Sequence, residues 1–430
     1  MANQQLTHLV RSPLVLPTEI VLLIMDLFAT TLSTGKLRSF PWFLGHICSA
    51  WRSIFLSMTA EFWSRISIEF VPWRNLNEEL ERTKNVVHFF LERDSAAPFS
   101  FEVKSLYRLH ELLLPEGVCV RQTLDMLMDT SMRWKDASFT VARAKVLLPL
   151  LRAKHRLPIL IDCGLNKVPD LLFDVFQNAP HLNDVVVRGL GDWKFNFEDL
   201  EAISLDELEF GAPHFITALP RMTKLKRLRI GTEFDDKLLS SIIVLPNLTI
   251  LSCEPSSLHF LEAPTLEDLT IEYNTCNPFN PNVDNIQSFL SRSSSTMNIL
   301  SLGIIRAESA TAIDIIKLMP QLAHLKLVNL HYVNNRDILR CRNVLEALTI
   351  STNAPLACQM LSLSISDFAK SRNNDDQLIS LVLSRTTRDS VVDRLQKLDI
   401  SDPLHNVSRN ARNILIALCK KHGVQFVGFK

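Results

Sequence analysis

The chain has 430 residues, enough for two or three domains or for one small domain followed by a long repeat array. Hydrophobic residues make up 47%, which allows a large core and argues against wholesale disorder. With 46 basic and 46 acidic residues the formal net charge is +0, so bulk electrostatic binding of nucleic acid or an anionic membrane is not the organising principle.

Residues 1–11 read as a loose polar leader without the basic-then-apolar pattern of a signal peptide. Pro17 then suits the first turn of a helix, where its missing N–H costs nothing. Ile20, Leu23, Ile24, Leu27 and Phe28 recur at helical spacing and read as the core face. Val21, Leu22 and Met25 cover the other side, so this helix is apolar nearly all round and needs burial on two sides, one of them against another protein. The run from Ile20 to Met25 is far too short to cross a bilayer. The spacer Ala29 to Phe40 reads as a loop. A second helix follows with Leu44, Ile47, Cys48, Trp51, Ile54 and Phe55 on it, and a third short helix is expected over Glu61 to Ile66, containing Trp63.

Leu16-Pro17-x-Glu19-Ile20, then Ile47-Cys48-x-x-Trp51-Arg52, then Phe62-Trp63-Ser64-x-Ile66 resembles an F-box, most closely those of the large fungal F-box families. The resemblance covers about fifty residues. It departs from the pattern in its long spacer, in Ile47 where valine is commoner, and in the missing proline before the last tryptophan. It implies docking on the Skp adaptor of a Skp–cullin–F-box ubiquitin ligase through Leu16, Pro17, Ile20, Ile24, Ile47, Cys48, Trp51 and Trp63.

Val71-Pro72 breaks the chain, and Leu76 to Glu92 reads as a linker helix with a charged wet face. Strands are then expected at Pro98 to Val103, Ala137 to Val141 and Leu157 to Ile161, with helices at Arg121 to Met132 and Ala144 to Lys154 between them. Such alternation implies parallel strands. After residue 180 an L-x-x-L-x-L template repeats at Leu182/Val185/Val187, Leu205/Leu208/Phe210, Leu225/Leu228/Ile230, Leu248/Leu251/Cys253 and Leu266/Leu269/Ile271. It recurs at Met297/Leu300/Leu302, Leu322/Leu325/Leu327 and Leu395/Leu398/Ile400. The first five start 23, 20, 23 and 18 residues apart, in or near the leucine-rich repeat range. Pro180, Pro246, Pro264 and Pro320 stand just before strands, where each would stop a helix. Leu345/Leu348/Ile350 fits a strand or a helix; a helix is favoured, with the strand at Met360/Leu363/Ile365. Helices over Gln377 to Leu383 and Asn406 to Lys421, and an edge strand over Val424 to Phe429, close the array. The C-terminal two-thirds resembles a degenerate leucine-rich repeat protein. The expected organisation is a leader over 1–11, an F-box over 12–70, a linker helix over 71–95 and an irregular α/β solenoid with a parallel sheet over 96–430.

No catalytic constellation stands out. Gly189-Leu190-Gly191 lacks the third glycine of a dinucleotide turn, no phosphate loop is present, and His110-Glu111 has no second histidine. The eight cysteines have no C-x-x-C spacing and read as reduced, mostly buried thiols of a cytosolic or nuclear protein. No enzyme activity, cofactor or metal is expected. His324 and His259 read as surface or capping residues. The basic run Arg221, Lys224, Lys226, Arg227, Arg229 is either an anion site or half of a charge-paired surface in which Arg227 and Arg229 face Glu207 and Glu209 of the preceding strand; charge pairing is favoured. The same geometry nominates Asp184, Asp268, Thr270, Ser301, His324, Lys326, Lys397 and Asp399 for a mixed polar face suited to a protein substrate. The aromatic stretch Trp193 to Phe197 is either a contact hot spot or a satellite core under its loop. The expected function is a substrate receptor that holds a protein beside the ligase machinery; the alternative is a scaffold that recruits no cullin.

Overall fold

The structure is a computed structural model. It describes residues 16–29, 45–70, 76–93, 96–105, 116–141, 144–166, 174–188, 194–206, 213–231, 241–271, 283–293, 297–303, 309–319, 321–328, 343–349, 359–366, 372–386, 394–401 and 407–428. The chain divides into two units, Met1–Asp199 and Leu200–Lys430. Both are α/β and both are built on parallel strands taken in chain order.

In the N-terminal unit, helices α1 (Thr18–Ala29), α2 (Ser49–Leu56) and the four-residue α3 (Ala60–Trp63) precede strand β1 (Arg65–Phe70). The third helix is shorter than expected, because Ile66, Ile68 and Phe70 alternate with polar residues and are all buried at a period of two. Helix α4 (Leu76–Arg93) buries Thr83, Val86, Val87 and Phe90, an i, i+3, i+4, i+7 stripe. Strand β2 (Phe99–Ser105), helix α5 (Glu116–Asp129) and strand β3 (Trp134–Val141) follow.

Residues Ala144–Ala153 form a 3-10 helix, not the α-helix expected. The reason lies in the spacing of Leu147, Leu150 and Ala153, all buried three residues apart, which matches three residues per turn. The next strand is β4 (Asp162–Asn166), five residues later than expected, because Leu160, Cys163 and Leu165 are the buried set. A 3-10 turn at Val175–Asn178 leads to β5 (Asp184–Arg188). The register stacks Ile66, Phe101, Ala137, Cys163 and Val185 in one buried row and Ile68, Val103, Phe139, Leu165 and Val187 in the next. Phe195 is buried and stacks on Phe176 at 6.2 Å, so the described part of the aromatic stretch is a satellite core; Trp193 lies outside the described residues.

The C-terminal unit begins at β6 (Ala202–Asp206) and continues through α6 (Pro213–Ala218), β7 (Arg227–Gly231), β8 (Ile243–Val244), β9 (Ile250–Cys253), β10 (Leu261–Glu262) and β11 (Asp268–Ile271). Then come α7 (Val283–Ser293), β12 (Ile299–Gly303), α8 (Ser309–Lys317), β13 (His324–Val328), a helix α9 over 343–348, and β14 (Ser362–Ser366). Helix α10 (Arg372–Thr386), β15 (Lys397–Ser401), α11 (Arg409–His422) and β16 (Gln425–Gly428) finish the unit. The main sheet runs β6-β7-β9-β11-β12-β13-β14-β15-β16, all parallel, while β8 and β10 pair separately.

The template residues occupy the inward face, with Leu228, Leu251, Leu269, Leu300, Leu325, Leu363 and Leu398 forming one buried row. One frame differs from expectation. The second repeat is Leu200/Ile203/Leu205, five residues before Leu205/Leu208/Phe210, so repeat starts from Leu182 fall 18, 25, 23 and 18 residues apart. Entry into each strand follows one backbone rule. Lys226 and Arg227 N–H both donate to the Glu201 carbonyl, at 2.8 and 3.0 Å. Thr249 and Ile250 use Lys226 in the same way, and Glu267 and Asp268 use Thr249. Helix α11 starts at Arg409 because the Ser408 hydroxyl caps it, accepting from Ala411 N at 3.2 Å, and it ends at Gly423, whose φ of 72° is left-handed.

Candidate functional site

Two surfaces are candidates, one in each unit. In the N-terminal unit, the faces of α1 depart from expectation at Val21, Met25, Ile20, Leu23 and Leu27, while Leu22 is exposed as expected. Val21 and Met25 are the buried pair, at i and i+4, and Ile20, Leu23 and Leu27 point outward. A helix apolar all round carries no periodic signal to choose between its faces; packing against α2 decides it. On α1 the outward Ile20, Leu23 and Leu27 follow i, i+3, i+7 and are 43%, 58% and 66% exposed, and Leu16, just before the helix, is 42% exposed. Pro17 is exposed with them, and Ile24, Ile47 and Cys48 are half-buried.

Trp51 and Trp63 were nominated as contacts but belong to this chain's own core, at 5% and 1% exposure. Trp63 meets Phe55, Phe62, Phe89 and Phe90 edge-on, with ring centroids 5.1, 4.8, 5.4 and 5.3 Å away. Arg93, at the end of α4, lies over Trp63 and Phe89 and donates to the Leu56 carbonyl at the end of α2. The cluster therefore holds α2, α3 and α4 together, and α1 packs on α2.

In the C-terminal unit the sheet face away from the buried rows is polar. One row across the strands reads Ala202, Arg227, Ile250, Asp268, Ile299, His324, Ser362, Lys397 and Gln425. The next reads Ser204, Arg229, Ser252, Thr270, Ser301, Lys326, Ser364, Asp399 and Val427. Arg227, Arg229, Asp268, Thr270, Ser301, His324, Lys326, Lys397 and Asp399 thus share this face, as expected; Asp184 lies on β5 of the other unit. Glu207 and Glu209 lie outside the described residues, beyond the end of β6. The shifted frame puts Ala202 and Ser204 opposite Arg227 and Arg229 instead. Charge pairing occurs, with other partners: Lys226 meets Glu201 at 2.9 Å and Arg229 meets Asp206 at 3.3 Å.

Asp268 differs from its neighbours. Burial raises its carboxyl above the ordinary range, and the Lys326 charge acts in the opposite direction. Cys163 is buried, and burial, with the Asp162 charge adding to it, holds its thiol protonated, as suits an inert core cysteine. Among the described residues no group of three or more His, Cys, Asp or Glu could hold a metal ion, and no helix is long and apolar enough to cross a membrane.

No protein-family model matches the chain, and no curated protein matches it.

Proposed function

We propose that the protein is the substrate-receptor subunit of a Skp–cullin–F-box ubiquitin ligase, with an F-box at its N-terminal end and a leucine-rich-repeat-like solenoid behind it. The observation that carries this reading is the outward stripe Ile20, Leu23 and Leu27 on α1, with exposed Leu16 just before it, within the segment whose motif resembles an F-box. Three large apolar side chains in line on a short helix, with a fourth just before its first turn, suit a groove on a partner. The parallel sheet, with its single polar face, supports the second half of the reading. The receptor makes and breaks no bonds; it raises the local concentration of substrate lysines near a ubiquitin-charged enzyme.

The test is co-purification of the full chain with the Skp adaptor and a cullin, beside Ile20→Asp/Leu23→Asp. Recovery of both partners by the wild type and of neither by the variant supports the assignment. Recovery of the adaptor alone points to a scaffold that recruits no cullin, and recovery of neither by folded wild type refutes the F-box reading.

A further inference from the structure

Near the middle of the polar face, one carboxylate sits between two aliphatic side chains. Asp268 on β11 has Ile250 of β9 on one side and Ile299 of β12 on the other, all pointing away from the core. Ile250 is 40% exposed and Ile299 half-buried. Asp268 is itself half-buried, and its Oδ1 is shielded from solvent with no hydrogen-bond partner among the described residues. A carboxylate oxygen that has lost hydration without gaining a hydrogen bond is costly to the folded chain. Any ligand that supplies a positive charge recovers that cost, and meets a partly desolvated anion whose attraction is less screened than in bulk water.

The surroundings narrow the ligand further. Isoleucine walls cover methylene groups, so they fit the stem of a long cationic side chain better than a small cation. Half-buried Ser252 and Thr270 lie in the adjoining row and offer hydroxyls to an ammonium, a guanidinium or a peptide backbone. Beyond the isoleucines the sign of the charge reverses: Arg227 lies two strands away on β7, and Lys326 two strands away on β13. Two strand spacings are about 10 Å. An extended polypeptide crossing the strands covers that distance in about three residues.

We propose that Asp268, walled by Ile250 and Ile299, receives a lysine or arginine side chain of a partner polypeptide, and that Arg227 and Lys326 meet acidic residues about three positions to either side of it. The proposal rests on the reading of the C-terminal unit as a partner-binding array. It gives that array a recognition pattern, acidic–x–x–cationic–x–x–acidic.

The test uses the immobilised full chain and four degenerate peptide pools, each with the central residue fixed as Lys, Arg, Gln or Glu. The Lys and Arg pools should be retained about tenfold or more over the Gln pool, with Asp or Glu enriched three positions away on sequencing. Asp268→Asn should erase that preference, and Ile250→Ser, which keeps the carboxylate, should weaken it. Equal retention of the Gln pool, dominance of the Glu pool, retention of none, or a preference untouched by Asp268→Asn each overturns the proposal. Adaptor capture by the same Asp268→Asn protein, together with its thermal unfolding, is measured in parallel. A lost preference with adaptor capture intact concerns Asp268 alone, and failed capture with the preference intact concerns the ligase reading alone.

Discussion

Arg229 reaches back from β7 to place its Nε 3.3 Å from the Oδ1 of Asp206, a nearly buried carboxylate at the end of β6. Ser204 adds a hydrogen bond to the other oxygen at 3.4 Å. The pair fits because the residue opposite Asp206 in the register is Gly231. A Cβ there would lie 2.6 Å from Asp206 Oδ1. Gly231→Ala should therefore push the carboxylate off Arg229 and destabilise the chain by about 1–2 kcal/mol, close to the cost of Arg229→Met, with the two effects less than additive. Urea unfolding of both single variants and the double variant checks this; full additivity would separate the glycine from the ion pair.

The α1 surface and the tryptophan cluster should respond differently to mutation. Ile20→Asp, Leu23→Asp or Leu27→Asp should leave unfolding within about 0.5 kcal/mol of wild type, because these side chains face outward. Trp63→Ala should cost about 3–5 kcal/mol through the cavity it leaves among four phenylalanines. Chemical denaturation distinguishes the two; a large loss at Leu23 or Leu27 would mean that α1 is packed on that side as well.

Arg385 is an internal clamp. It is fully buried near the end of α10, with Nε and Nη2 donating to the Leu348 carbonyl at 3.2 and 2.9 Å. Leu348 ends α9, so the arginine satisfies an orphan carbonyl of the neighbouring helix. Arg385→Met should lose about 2–4 kcal/mol by leaving that carbonyl unmet. Lysine should rescue only partly, since it lacks the planar fork. Thermal unfolding of the two variants gives the order.

Asp268 yields a pH dependence with a definite sign. Its folded carboxyl is raised above the ordinary value, with burial as the first cause. The carboxyl therefore favours folding most below its unfolded pKa of about 3.9, and that contribution falls as pH rises through the raised folded value. Asp268→Asn should be more stable than wild type at pH 7, and the advantage should shrink towards pH 4. Denaturation curves at the two pH values test this, and an asparagine variant less stable at pH 7 would contradict it.

Much of the fold was readable from the chain. The strands at Leu225, Leu248, Leu266, Met297, Leu322 and Leu395 follow the template because each inward position needs an apolar side chain and each outward one does not. The miss at β6 has a plain cause: Leu200/Ile203/Leu205 and Leu205/Leu208/Phe210 share Leu205 and both satisfy the pattern, so spacing alone cannot choose. The early end of α3 was legible in the alternation of Ile66, Ile68 and Phe70, a period-two signal beside a helical motif. The faces of α1 were not legible, since an all-apolar helix is decided by its neighbours. Nor was Arg385, because an arginine in the last turn of a helix reads as a surface residue until the adjoining helix end is placed against it. At the candidate site, the sharing of one face by Arg227, Asp268, His324 and Lys326 followed from alternation, whereas the isolation of Asp268 between two isoleucines depended on register.

From β12 onward in the main sheet of the C-terminal unit, every described strand is bonded to the strand that immediately precedes it in the chain. Pulled from its C-terminal end, such a sheet has no distant rung to share the load. β16 would come away with α11, then β15 with α10, and the strand starts set the lengths released at 28 and 35 residues. A force–extension trace of this unit should climb in a series of small teeth, unlike the single tall rupture of a sheet whose ends are stitched together.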